Sequence, residues 1–195
     1  MGKIITLAKP NQDGSMSLEK AIAGRRSRRD FLPQSLTLEQ ISQLAWAAQG
    51  QDAHSSYRTA PSAGATYPLE LFVVTSEGLF RYLPAKHALE KLIIGDLRAA
   101  LASAAWGQGF IEAAPLTLVF AAQFSRTTNR YGQRGVRYVY MEAGHAAQNV
   151  HLQAETLGLG SVAVGAFDDA GVSKVLSLPD HIEPLYLVTV GYSRS

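Results

Sequence analysis

Apolar residues along the chain recur first at a helical period and later at a strand period. Residues 1–16 read as an extended arm, with Pro10 and Asn11-Gln12-Asp13-Gly14 as turn material. Ser17 is placed to cap a short helix through Gly24. Thr37-Leu38-Glu39-Gln40 is a capping box, in which the Thr hydroxyl and the Gln three positions on each satisfy a free amide. The helix it opens carries Leu38, Ile41, Leu44, Ala45 and Ala48 on one face and ends at Gly50. The period then changes. Residues 51–68, rich in Ser, Ala, Gly and Pro, predict a loop, and Leu69–Thr75 with 79–83 predict a hairpin joined through Ser76-Glu77-Gly78. Asp96 can cap a helix to about Trp106. Leu116–Ala122 follows Pro115 as a β-rich run, and the polar, basic stretch 123–133 predicts a loop. A long Ala-rich helix over 135–157 follows, whose small Ala143, Gly144, Ala146 and Ala147 suit close packing. Residues 161–166 predict a strand, 168–176 a capped helix, and 185–191 a last strand.

Helices and strands alternate irregularly. The early hairpin and the helix–helix run argue against a doubly wound parallel sheet and for an α+β domain. The chain reads as an arm (1–16) and one domain (17–195), with no repeat and no low-complexity segment. Of 195 residues 47% are apolar and only 17% charged, which leaves surface for a partner subunit to cover. The net charge is +2, with basic residues concentrated at 25–29 and 126–137; this predicts local anion binding and no nucleic-acid surface. The chain has no cysteine, which excludes disulfides, thiolate metal sites and a cysteine nucleophile and fits a reducing compartment. No apolar run approaches membrane-spanning length and no signal core precedes Lys9-Pro10. The expectation is a soluble, cytoplasmic protein.

The densest chemistry is Arg25-Arg26-Ser27-Arg28-Arg29-Asp30-Phe31. A guanidinium fork matches phosphate oxygens with paired, charge-assisted bonds. A solvated basic loop is the competing reading. Other chemistries drop out. Gly158-Leu159-Gly160 lacks the preceding strand and following helix of a dinucleotide fingerprint. There is no phosphate-binding loop of the nucleoside-triphosphatase type and no Gly-x-Ser-x-Gly elbow. His54, His87, His145, His151 and His181 lack a metal-ligand spacing; His145 and Asn149, on one helix face, read as a packed, hydrogen-bonded pair. Trp46, Trp106 and Met141 read as core.

Taken with Arg58-Thr59-Ala60-Pro61-Ser62-Ala63-Gly64-Ala65-Thr66-Tyr67-Pro68, Arg134-Gly135-Val136-Arg137-Tyr138, Glu142-Ala143-Gly144-His145-Ala146-Ala147-Gln148-Asn149 and the stretch 158–168, the arginine segment resembles the nitroreductase-like flavoenzymes over nearly the whole chain. The subgroup most similar is the streptolysin-type dehydrogenases, which oxidise azoline rings in ribosomal peptides. The resemblance implies a mainly antiparallel central sheet flanked by helices, and a homodimer with FMN at the subunit interface. It implies that Arg25, Arg26 and Ser27 hold the phosphate and ribityl chain, and that Arg29 lies near flavin N1 and O2, where a cation stabilises the charge of the reduced ring. Pro61, Ser62, Ala63 and Gly64 of the other subunit would line the ring. Gly165 and Ala166, following Val164, would offer amides to N5 and O4. Gln108 is either a ligand of the pyrimidine edge or a surface helix end. Arg194 is either a phosphate ligand or a frayed end, since the chain stops three residues after Tyr192 where family members often carry a longer swapped extension. Arg130-Tyr131 is the nearest match to the subgroup's Lys-Tyr pair. Arginine stays protonated and is a poor base, whereas Tyr131 could donate a proton or serve as an aromatic lid.

The resemblance implies an FMN-dependent oxidoreductase that passes a hydride through flavin N5, reducing nitroaromatics, quinones or similar acceptors with NAD(P)H. The alternative within the family is oxidation of azoline rings in a peptide, alongside peptide-modifying partner enzymes. The alternative of another class is a non-catalytic flavin store, with a nucleic-acid module more remote. No metal is expected.

Overall fold

The computed structural model describes residues 2–52 and 55–194, so His54 lies outside the described residues. The elements in chain order are β1 (Ile4–Thr6), α1 (Leu18–Gly24), α2 (Leu38–Gln49), β2 (Leu69–Thr75), β3 (Gly78–Leu83), β4 (Ala88–Ile94), α3 (Arg98–Ala104), α4 (Gly109–Ala113), β5 (Leu116–Ala122), α5 (Ser125–Tyr131), α6 (Arg134–Thr156), β6 (Gly160–Val164), α7 (Asp169–Leu176) and β7 (Glu183–Gly191). The strands form one sheet in the order β1-β4-β3-β2-β5-β7-β6, and every ladder is antiparallel. The α+β class predicted above is the one observed. Among the described residues no helix is long and apolar enough to cross a membrane.

The sheet is covered on both faces. Alternate residues of one strand therefore enter different cores, as the two-residue period of a strand requires. On β5, Leu116, Leu118, Phe120 and Ala122 pack into the core under α2 and α6, while Val119 and Ala121 face α3 and α7. This explains why the β5 sequence is apolar throughout rather than alternating: all of its residues are buried. On α6 the buried Ala143, Ala146, Ala147 and Ala154 let α2 approach closely through Leu44, Ala45 and Ala48. Burying each leucine side chain stabilises the fold by roughly 1.5–3 kcal/mol.

Local signals hold at both early helices. The Ser17 hydroxyl accepts from Lys20 N–H at 3.3 Å. The Thr37 hydroxyl accepts from Gln40 N–H at 3.2 Å, and Gln40 Oε1 accepts from Thr37 N–H at 3.0 Å, so the capping box is complete. Asp168 caps α7 by accepting from Gly171 N–H at 3.1 Å.

Two expectations need correction, the Asp96 cap and the loop at 123–133, and further elements go beyond what was expected. Within the extended arm, residues 4–6 form β1, which pairs with β4 at the sheet edge. Strand β4 and the short α4 carry no distinctive turn or capping signal and were not predicted. Asp96 does not cap α3; Leu97 holds that position, and the Asp96 carboxylate instead accepts from Arg98 N–H at 3.0 Å and pairs with the Arg98 guanidinium at 2.7 Å. The predicted loop 123–133 contains the helix α5. Its composition is poor for a helix, and contacts from outside hold it: Arg126 Nη2 donates to Glu70 Oε1 at 2.6 Å, and the Thr127 and Thr66 hydroxyls meet at 2.7 Å.

Candidate active site

The arginine segment is folded against the edge strand β6. Arg25 ends α1, Ser27 bridges Ser161, and Arg28 N–H donates to Ser161 O at 3.0 Å. The C-terminal segment lies along the same loop. Phe31 bridges Ser193, Leu32 N–H donates to Tyr192 O at 2.8 Å, and Arg194 N–H donates to Asp30 O at 3.1 Å. Arg194 is thus held by its backbone beside the arginine loop, although it is the last described residue. Gly160 is the residue that permits this approach: a Cβ there would sit 2.8 Å from both Arg28 Cβ and Ser193 Oγ.

The five guanidinium groups behave differently. Arg26 Nη1 donates to Ala23 O at 2.9 Å and Arg25 O at 2.8 Å, so it satisfies carbonyls at the end of α1. Arg29 lies over the Phe110 ring, 5.7 Å from its centroid. Among the described residues, none of Arg25, Arg26, Arg28, Arg29 and Arg194 forms an ion pair with a carboxylate; the ion pairs are Arg81–Glu90, Arg98–Asp96 and Arg126–Glu70. A cluster of cations without internal counter-charge fits an anionic ligand.

At the other end of β6, Val164 is buried and the small Gly165 and Ala166 are exposed. Gln108 is fastened to them. Its Nε2 donates to Ala166 O at 2.8 Å and to Ala105 O at 2.9 Å, which brings residue 108 to the site rather than leaving it at a free helix end. Together with Arg29 on Phe110, this bond links the cationic end of β6 to its small, exposed end. The arrangement suits a ligand with a phosphate at one end and a flat group at the other.

Beneath the cationic end lies His151, to which the sequence pattern assigns no role. His151 is buried, and its Nδ1 lies 2.7 Å from Ser161 Oγ. Burial, and then the positive charge of Arg25, push the His151 pKa down to about 4. No sequence pattern links a helix residue to a serine ten positions on.

Pro61, Ser62, Ala63 and Gly64 form a second cluster with Arg130 and Tyr131. Gly64 has φ 58°, and its carbonyl accepts from Arg130 Nη1 at 3.1 Å. The Arg130 guanidinium lies 5.5 Å from the Tyr131 centroid, and the Tyr131 ring meets Tyr138 edge-on at 5.2 Å. Ser62 Oγ accepts from Tyr67 N–H at 2.9 Å. Below it is Glu142, only 3% exposed, whose Oε1 has no hydrogen-bond partner. Burial raises the Glu142 pKa to about 7, offset only in part by the Ser62 hydroxyl and the Arg58 charge. Arg58 donates to Gln49 Oε1 at 2.5 Å and to Leu69 O at 3.1 Å, and lies over the Tyr67 ring at 4.7 Å.

The two clusters stand apart within one chain. Loop 61–64 leads toward β2 and the arginine loop lies on β6, and β5 and β7 stand between these two strands in the sheet. Other expectations are revised. Trp106 is 70% and Met141 54% exposed, so neither is core. His145 is exposed and Asn149 donates to Ala47 O at 3.1 Å and Thr59 O at 3.4 Å, so these two do not form the expected pair. Among the described residues no group of three or more His, Asp or Glu could hold a metal ion.

The family model for the nitroreductase family matches residues 22–192. This chain belongs to the nitroreductase family. Family membership makes it an oxidoreductase. MJ1384 of Methanocaldococcus jannaschii, which bears a nitroreductase name, is 41% identical over 98% of this chain and 98% of its own length. A crystal structure of a Ralstonia eutropha protein with a nitroreductase name superposes with a TM-score of 0.89 at 34% identity, covering 98% of this chain and 90% of that one. The microcin B17-processing protein McbC of Escherichia coli is 28% identical over 80% of this chain and 61% of its own length. An FMN reductase (NADPH) of Bacillus subtilis is 25% identical over 89% of this chain and 64% of its own length. This nitroreductase-family chain therefore has relatives of both the reductase and the microcin-processing type.

Proposed function

We propose that this protein is an FMN-dependent oxidoreductase that uses NAD(P)H to reduce a nitroaromatic, a quinone or a similar acceptor. The observation that carries the reading is that, among the described residues, Arg25, Arg28, Arg29 and Arg194 form no ion pair and lie in segments folded against β6, a strand followed by the exposed Gly165 and Ala166. When bound, FMN supplies the hydride-transfer chemistry at N5. The chain supplies binding and electrostatics. Arg25 and Ser27 would hold the phosphate, Arg29 would stabilise negative charge on the ring, and the backbone after Val164, with Gln108, would fix its edge. The name of the B. subtilis relative supports both FMN and NADPH.

The working form in this reading is a homodimer, with Pro61, Ser62, Ala63 and Gly64 of one copy completing the site of the other. The separation of the two clusters in one chain supports it. So does the exposed face of α6, where Tyr140 and Met141 flank an open Gly144 on which a Cβ would touch nothing. The reading takes the protein to be cytoplasmic, in keeping with its lack of cysteine.

A second reading, oxidation of azoline rings in a peptide, is favoured by the likeness to McbC and by Tyr131 beside Arg130. It would bring peptide-modifying partner enzymes. The purified protein should be yellow, release one FMN per chain on heating, and bleach with NAD(P)H under nitrogen. A protein that holds no flavin would overturn both readings. One that holds FMN but does not bleach with either nucleotide would overturn the reductase reading and leave the dehydrogenase. A monomer in light scattering that still held stoichiometric FMN would overturn the shared site.

A further inference from the structure

The cationic loop does not rest on a passive floor. His151, on α6, and Ser161, the second residue of β6, are joined at 2.7 Å and are 8% and 3% exposed. Ser161 is the residue on which the loop is hung: it bridges Ser27, and its carbonyl accepts from Arg28 N–H at 3.0 Å. The imidazole thus stands under the strand–loop junction that carries the candidate phosphate ligands. One turn along the same helix face, Glu155 reaches the end of α1, where its Oε1 would lie 2.5 Å from a Cβ on Gly24.

We propose that His151, held by Ser161, is a positioning residue of the anion cradle that couples binding of a phosphate ester to uptake of a proton. The proposal rests on the FMN reading for its natural ligand, but its physical basis is the charge balance around one ring. The charge that bears on the His151 ring is that of Arg25 at the end of α1; Arg28 follows in the loop bonded to Ser161, the Glu155 carboxylate lies against Gly24 one turn along α6, and β6 offers the ring the Ser161 hydroxyl. With Arg25 uncompensated, a second positive charge on the buried ring is opposed both by desolvation and by repulsion. A dianion seated on Arg25 cancels the repulsion and adds attraction. The protonated imidazole then becomes acceptable, its proton coming from solvent.

The sign follows. The ligand-free ring is neutral above a pKa of about 4. Anion binding raises that value, so between it and the bound value binding takes up a proton, and affinity for an anion of constant charge grows as pH falls. The same coupling gives discrimination. The ring gains only when a charged group reaches Arg25, so it favours FMN over riboflavin.

The test uses the full chain, labelled at histidine and stripped of any flavin. His151 is assigned through its backbone, and its ring is titrated by NMR alone, with sulfate and with FMN. Sulfate is a tetrahedral dianion whose charge does not change across this range. The expected result is an upward shift of the His151 pKa by roughly one unit or more with either anion, equivalent to tenfold tighter binding of the protonated form. An unchanged titration with both overturns the proposal. In parallel, H151Q should weaken FMN by about fivefold relative to wild type at pH 4, where a one-unit shift from a pKa of about 4 is felt, and by less than twofold at pH 7, while riboflavin affinity stays within about twofold at both. S161A, which keeps the backbone bond to Arg28, should do the same should H151Q fail to fold. Equal weakening of FMN and riboflavin, or none, overturns it. The outcomes separate from those of the FMN reading. A His151 shift with sulfate in a protein that holds no FMN sinks that reading and leaves this one; tight FMN with an unresponsive His151 does the reverse.

Discussion

Gly64 and Tyr131 are fitted to each other. A Cβ on Gly64 would lie 2.5 Å from the Tyr131 phenol oxygen and 2.9 Å from Arg130 Cζ, and the backbone there has φ 58°. The small-residue loop is therefore shaped around the end of α5, and the end of α5 is held by the loop. This relationship ties a stretch read as ring-lining to the pair read as proton-handling, which sequence separation alone would never join.

Gly64→Ala should disturb both. The left-handed backbone costs a non-glycine residue about 1–2 kcal/mol, and the phenol must move by several tenths of an ångström or more to clear the methyl group. The variant should melt several degrees lower and turn over its organic substrate more slowly. Thermal melting with steady-state kinetics checks this; wild-type values for both would mean that the loop is free to shift.

Arg25→Ala should weaken FMN by about ten- to a hundredfold, the loss of one charge-assisted bond of roughly 1.5–3 kcal/mol. Arg26→Ala should do less to FMN, because the Arg26 guanidinium is occupied by Ala23 O and Arg25 O. It should instead lower stability by roughly 1 kcal/mol through loss of the helix cap. Flavin titrations and melting curves of the two variants decide the matter; equal loss of affinity in both would show that Arg26 leaves its carbonyls to bind the ligand.

What was legible in the sequence was what neighbours along the chain decide. The Ser17 and Thr37 caps, the Leu69–Thr75 strand, and the long Ala-rich helix each rest on local spacing, and each is where it was expected. Helix α5 was hidden because its residues are weak helix formers, and the bonds that hold it reach Glu70, Thr66 and Gly64 more than fifty positions away. The cationic loop could be read as an anion site, but Arg26's helix-capping role could not, since all four arginines look alike in a string. The role of His151 was not legible either. Its partner Ser161 becomes a neighbour only when α6 packs beside β6. The exposed Trp106 and Met141 misled in the other direction, because large apolar residues default to core unless a surface for a partner is known.

Glu142→Gln should stabilise the protein in a pH-dependent way. The folded pKa is raised to about 7, against 4.5 for the ordinary carboxyl. Below 4.5 both states are protonated and the side chain costs nothing extra. Between 4.5 and 7 the unfolded chain ionises while the folded one resists, so wild-type stability falls as pH rises; above 7 the penalty is constant, of order 3 kcal/mol. The variant should match wild type at pH 4 and exceed it at pH 8 in urea unfolding. An equal difference at both pH values would mean that the gain, if any, comes from packing and not from the charge.

Tyr131→Phe separates the two readings of the phenol. The substitution keeps the ring, and with it the edge contact to Tyr138 at 5.2 Å and the stacking of Arg130 at 5.5 Å, and removes only the hydroxyl. No protein partner holds that hydroxyl among the described residues, and Tyr131 is part-exposed, so its proton is available to a substrate. If the phenol transfers a proton in the step with the organic substrate, turnover should fall about 10²–10⁴-fold with FMN affinity unchanged. If the ring only covers the substrate, turnover should stay within about threefold, since the stacking surface is intact. We expect the larger loss, because Gly64 is constrained at the oxygen rather than at the ring: the nearest atom to its would-be Cβ is the Tyr131 hydroxyl. Stopped-flow measurement of the half-reaction with the organic substrate, kept separate from the half-reaction with NAD(P)H, isolates that step. A large fall in both half-reactions would instead mean that the variant has displaced the flavin-facing loop, and melting of the same sample would show it as lost stability.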